Sequence, residues 1–126
     1  MIKLDKVTLY VKSQEEAKKF WIDKVGFVLT FEQQMAPGMT WIEVAPQAGQ
    51  PSLVLYSKEA MQKMNPAMVS HPSIIFEAAD VEKTHREMKA KGVDVADLQI
   101  MPYGKMFQFK DQDGNMYLVR NPQAPR

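Results

Sequence analysis

Two histidines, His71 and His85, stand far apart in a 126-residue chain that has no cysteine. Thiolate metal sites, disulfides and a cysteine nucleophile are thereby removed together, and no histidine pair has the i, i+4 spacing of a metal-binding helix. No serine has an evident histidine partner, no G-x-S-x-G turn occurs, and the six glycines are scattered among turns rather than gathered in a phosphate loop. Asp111-Gln112-Asp113-Gly114-Asn115 has the look of a calcium loop but lacks the third carboxylate before Gly114 and the closing Glu. It reads as a hairpin turn in which Gly114 and Asn115 take positive φ. His85 shares a helical stripe with Val81 and Met88 and reads as a packing imidazole; His71 reads as a loop residue. Two kinds of chemistry remain. The Lys6 amine, in apolar surroundings, could have a depressed pKa and act as a base or Schiff-base amine. Tyr10, Trp41 and Tyr56 could line a site for a small molecule.

The elements that must position these residues occur twice. Val7, Leu9 and Val11 alternate with Lys6, Thr8 and Tyr10, the period of a strand with two different faces. Ser13 and Glu16 form a capping box for a helix whose stripe is Ala17, Phe20, Trp21 and Val25, closed by Gly26. Strands follow over 27–32, 39–45 and 52–56. After a linker, 57–71, with a short helix over 58–64 stopped at Asn65-Pro66, the order recurs. A strand over 72–78 precedes a helix capped by Asp80 and closed by Gly92, then a short strand over 93–97 and a hairpin of 106–110 with 116–120. The pattern is βαβββ repeated in a single domain, 1–126, with module one at 3–56 and module two at 72–121. It predicts an α+β fold in which two four-stranded sheets, each covered by its helix on one face, join into one curved sheet of eight around a cleft.

Composition narrows the function classes. Sixteen basic and fifteen acidic residues leave a net charge of +1, which gives no electrostatic footprint for nucleic acid or an anionic membrane. The alternating N-terminus reads as a strand and not as a signal peptide, and no stretch approaches a membrane span, so a cytoplasmic location is expected.

Val7-Thr8-Leu9-Tyr10-Val11 with Ser13, Ala17, Phe20-Trp21 and Gly26-Phe27 resembles the first module of the vicinal oxygen chelate superfamily. That superfamily includes glyoxalase I, bleomycin-resistance proteins, fosfomycin-resistance enzymes and extradiol dioxygenases. Ser73-Ile74-Ile75-Phe76, Asp80-Val81 and Lys91-Gly92-Val93 resemble its second module, and the run from Phe109 to Asn115 resembles its hairpin, with Gln112 in the usual proline place. Met39-Thr40-Trp41-Ile42-Glu43-Val44-Ala45-Pro46 is similar to a bacterial glyoxalase-like branch. The family's metal ligands, two His and two Glu or Gln, map by this resemblance onto Lys6, Val54, Ser73 and Leu118. An ammonium, two aliphatic chains and a hydroxyl do not make a coordination sphere, so neither a metal nor another cofactor is expected. A displaced set, His71 with Glu43 and Tyr56, is the alternative.

If the mapped positions face the cleft, period two puts Thr8, Tyr10, Ser52 and Tyr56 beside Lys6 and Val54. Ile75 then accompanies Ser73, and Met116 and Arg120 accompany Leu118. Trp41 and Glu43 join this lining if Ile42 and Val44 face the helix; the parity of 39–45 and of 105–110 stays open. Ten methionines, several near the cleft rim (Met35, Met39, Met61, Met64, Met68, Met101, Met106), suit an adaptable surface. The resemblance thus implies a protein, expected as a homodimer, that binds a small amphipathic or aromatic molecule without turnover. A superfamily enzyme of lyase or dioxygenase class, using a displaced metal or Lys6, and an interaction module with a Met-rich rim are the alternatives.

Overall fold

The computed structural model describes residues 1–102 and 104–121. The chain divides into two compact units, Met1–Pro72 and Ser73–Arg126, each with its own sheet.

In the first unit the strands are β1 (Lys6–Val11), β2 (Val28–Ala36), β3 (Met39–Ala45) and β4 (Ser52–Ser57), in the order β1-β4-β3-β2. β1 runs parallel to β4, and the other pairs are antiparallel. The helix α1 (Gln14–Lys19) starts where Ser13 accepts a hydrogen bond from the Glu16 amide. Expectation and structure part at its end: a single α-helix to Gly26 is replaced after Lys19 by a π-helical turn, Phe20–Val25. A wider turn advances by less than 100° per residue, so the consecutive Phe20 and Trp21 both reach the core. Trp21 is fully buried, with ring contacts to Phe20 at 5.5 Å and Phe27 at 5.2 Å. Gly26, at φ 93°, stops the helix in the left-handed region. Beneath lie Leu9, Val11, Ile42, Val44, Leu53 and Leu55, all buried. The Gln14 amide pins the helix to its sheet, donating to the Thr40 and Leu55 carbonyls at 2.8 Å each. The helix α2 (Lys58–Met64), capped by Ser57, follows β4 as expected.

The second unit holds β5 (Ile75–Glu77), α3 (Val81–Ala90), β6 (Asp94–Val95), β7 (Gln99–Met101), β8 (Gly104–Lys110) and β9 (Met116–Arg120). Its order is β5-β9-β8-β6, with β7 also on β8. The strand expected over 93–97 is shortened to β6, and a further strand that was not expected, β7, pairs with the same neighbour, making five strands instead of four. Between them the Ala96 amide still donates to the Gln108 carbonyl at 2.8 Å, while the Ala96 carbonyl meets His85 Nε2 at 2.8 Å. His85 is the packing residue it was read to be, with its ring 4.9 Å from Phe107. β5 is shorter than the strand expected over 72–78; Pro72, which has no amide to give to a ladder, lies outside it. Phe76, Phe109 and Tyr117 stack beside the buried Phe107, Val119, Val81, Met88 and Val93.

The 111–115 turn also differs from expectation. Gly114 has φ 83°, but no non-glycine among the described residues has positive φ, so Asn115 does not. The Asp111 side chain organises the turn instead. Its Oδ1 accepts from the amides of Asp113 (2.9 Å) and Asn115 (3.0 Å), and its Oδ2 accepts from the Tyr117 hydroxyl at 2.6 Å. Both oxygens are committed to the fold. No helix among the described residues is long and apolar enough to cross a membrane.

Candidate functional site

The register of the first sheet settles which residues share the face turned away from α1. Lys6 lies opposite Ser52, Thr8 opposite Val54 and Tyr10 opposite Tyr56, while Glu43 lies opposite Val54 on the other flank. Cross-strand partners share a face, so Lys6, Thr8, Tyr10, Ser52, Val54 and Tyr56 stand together with Glu43 and Trp41. Ile42 and Val44 point to the helix side and are buried. The open parity of 39–45 is thereby decided in favour of Trp41 and Glu43.

These side chains form two joined groups. Glu43, only 8% exposed, is the centre of the polar one. Its Oε1 accepts from Lys6 Nζ and from Ser52 Oγ, both at 2.9 Å, and its Oε2 accepts from Trp41 Nε1 at 2.7 Å. The aromatic group is a ladder of edge-to-face rings: Trp41 to Tyr56 at 5.9 Å and Tyr56 to Tyr10 at 6.3 Å. Trp41 belongs to both. The Tyr56 hydroxyl touches the Met64 sulfur at 4.0 Å, which brings α2 to the edge of the ladder. Ser52 was placed on this face by its spacing, but its part in fixing Glu43 depends on a contact no local pattern reports.

Burial alone pushes the Glu43 carboxyl up; the hydrogen bonds from Lys6, Trp41 and Ser52, with the Lys6 charge, outweigh it and hold it below the ordinary carboxylate range. The hydrogen bond to Glu43 raises the Lys6 ammonium above the ordinary lysine range, against a smaller opposing effect of burial. This corrects the reading of Lys6 as a base or Schiff-base amine, which needs the opposite shift. A carboxylate held low contributes stability above its ordinary pKa and loses it as pH falls through the lowered value; an ammonium held high contributes below its ordinary pKa and loses it as pH rises past the raised value. The stability gap between wild type and Lys6→Met is therefore expected to stay level from about pH 5 to about pH 10 and to narrow beyond both limits. Urea titrations across that range check it, and a gap that ignores pH would contradict the pairing.

In the second unit Ile75 lies opposite Leu118, and Glu77 opposite Arg120. Met106, Gln108 and Lys110 lie opposite Arg120, Leu118 and Met116, which decides the parity of 105–110. Ser73 precedes β5 and is exposed, so it has no place in that ladder. A cavity of about 290 Å³ is lined by Gln99, Met106, Gln108 and Leu118 among others. A larger one, about 480 Å³, lies at the start of α3 beside Asp80, Glu82, Ile100, Met101 and Lys105, and none of the expected ligand-side residues lines it; Glu82 and Lys105 are paired there.

The four positions where the resemblance expects metal ligands do not fit a metal. Lys6 is a charged ammonium, Val54 is a buried hydrocarbon, Ser73 is an exposed hydroxyl and Leu118 is aliphatic. Of the displaced set, Glu43 has both oxygens taken by donors of the fold. Among the described residues no group of three or more His, Asp or Glu is placed to hold a metal ion.

The model of the Glyoxalase/Bleomycin resistance protein/Dioxygenase superfamily matches residues 3–118. The uncharacterized protein YetH of Bacillus subtilis (strain 168) is 41% identical over 115 residues, which is 90% of this chain and 93% of YetH. Among solved structures, TnmS3, an antibiotic binding protein from Streptomyces sp. CB03234, is 28% identical with a TM-score of 0.81, covering 98% of both chains. A superfamily member from Sphaerobacter thermophilus DSM 20745 is 22% identical with a TM-score of 0.82, covering 97% of this chain and 98% of its own, and supports the fold alone.

Proposed function

The chain belongs to the Glyoxalase/Bleomycin resistance protein/Dioxygenase superfamily, and from that premise we propose that it is a metal-free binding protein for a small aromatic or amphipathic molecule. The observation that carries this reading is the ladder Trp41–Tyr56–Tyr10 standing beside a fixed Lys6–Glu43 pair. Half-buried aromatic rings with a few placed polar groups are the makeup of a small-molecule site. The antibiotic binding described for TnmS3 points the same way. Lys6, Thr8, Tyr10, Trp41, Glu43, Val54 and Tyr56 are the ligand-side residues of the first unit. For the second unit, Ile75, Met116, Leu118 and Arg120 are proposed on the register of its own sheet, with Ser73 lying outside the strand. A cytoplasmic homodimer completes the proposal. Lys6 held charged and Glu43 held by three donors favour binding over turnover.

The test is a thermal-shift screen of planar aromatic compounds with and without divalent cations and chelator. A ligand at about 100 times its Kd should stabilise the protein by about 2.7 kcal/mol, indifferent to chelator. A blank screen, or a stoichiometric transition metal in the purified protein, would count against the reading.

A further inference from the structure

We infer that the Lys6–Glu43–Trp41 corner selects ligands by their hydrogen-bonding sense: it takes a planar aromatic molecule carrying an acceptor oxygen next to the ring, and disfavours one carrying an ammonium there. This deepens the binding reading above and rests on it.

Glu43 is the one buried acid among the described residues of this face, and both its oxygens are engaged: Oε1 by Lys6 and Ser52, Oε2 by Trp41, three of its roughly four acceptor sites. A ligand ammonium meets a carboxylate whose charge Lys6 already balances at 2.9 Å, and the Lys6 ammonium beside it repels a second cation. The ligand-facing donors are not exhausted. Lys6 Nζ has three N–H groups and spends one on Glu43, and its side chain keeps 38% of its exposure. Asp5 also lies near, its carboxylate 3.6 Å from Lys6 Nζ and 78% exposed, where water screens its pull on a ligand cation. The hydroxyls of Thr8 and Tyr10 have no hydrogen-bond partner among the described residues and can donate as well as accept. Trp41 joins the two ends: its N–H reaches Glu43 while its ring lies 5.9 Å from that of Tyr56. An aromatic plane seated against these rings therefore has its substituent close to the Lys6 ammonium. Glu43 holds that ammonium in place and keeps it protonated.

Calorimetry with two matched probes, 2-acetylnaphthalene and 2-(aminomethyl)naphthalene, tests this at near-neutral pH. The wild-type protein is expected to bind the ketone at least about tenfold more tightly than the amine, since the protonated amine meets the Lys6 ammonium as a like charge and offers its free N–H groups no acceptor. In Lys6→Met/Glu43→Gln, which removes both charges together, the ratio is expected to fall below about threefold. Equal or tighter binding of the amine by wild type overturns the inference without recourse to any variant, and so does a ratio unchanged in the double variant. Should neither probe bind while other aromatic compounds stabilise the protein, the selectivity falls and the binding reading stands; a blank screen as well removes both.

Discussion

Replacing Asp111 with alanine is expected to cost about 3 kcal/mol and to lower Tm by about 10 °C. The side chain is 7% exposed and accepts from the Asp113 and Asn115 amides and the Asn115 side chain, besides the Tyr117 hydroxyl. Hydrogen bonds to a charged acceptor are worth about 1.5–3 kcal/mol each, and losing the acceptor leaves buried donors to carry their desolvation cost. Tyr117 is the most affected, since it is 1% exposed and sits in the stack with Phe109 and Phe76. Its hydroxyl is held in the neutral, donating form, because burial and the Asp111 carboxylate both push its pKa far above the ordinary range. Tyr117→Phe removes donor and need together and should cost about 1 kcal/mol, and Asp111→Ala/Tyr117→Phe should cost less than the sum of the singles. Urea midpoints of the four proteins measure the cycle. A loss under about 1 kcal/mol in Asp111→Ala would mean that the β8–β9 turn forms without its side-chain acceptor.

The parts of this molecule that were legible in its sequence are those where one face is polar and the other apolar. β1 alternates cleanly, so Lys6, Thr8 and Tyr10 could be placed together before any register was known. β3 could not be resolved that way, because Trp41, Ile42, Val44 and Ala45 are apolar on both faces. Its parity is settled by the pairing of Glu43 with Val54, eleven positions away in the chain. The Lys6–Glu43 bond spans 37 positions, and no spacing rule reaches that far. The π-helical turn was hidden because an aromatic pair at 20 and 21 also suits one edge of an α-helical stripe. Gly114-Asn115 carries the signature of a turn with two positive φ values, and lost to a local competitor: Asp111 supplies the turn's acceptors itself, so Asn115 need not enter the left-handed region. β7 was not legible because its pairing is with β8, a partner the local pattern does not report.

Tyr56→Ala is expected to weaken binding of 2-acetylnaphthalene by about fiftyfold, which corresponds to about 2.3 kcal/mol. Tyr56 is the middle ring of the ladder, in edge contact with Trp41 on one side and Tyr10 on the other, so its removal breaks both contacts at once. It is also the cleanest of the three to remove. Truncating Trp41 would leave Glu43 Oε2 without its donor and mix a loss of ring with a disturbed ion pair. Tyr56 makes no bond to the Lys6–Glu43 group; its hydroxyl contact is the Met64 sulfur, a weak acceptor. The β4 backbone, paired with β1 through Tyr10, does not depend on the side chain. Tyr56→Phe keeps the plane and loses only the hydroxyl, so its affinity should stay within about threefold of wild type. That contrast separates stacking from hydrogen bonding, and the thermal stability of both variants without ligand checks that the fold is intact. An unchanged Kd in Tyr56→Ala would place the ligand somewhere other than the Trp41–Tyr56–Tyr10 face, whatever the screen had found.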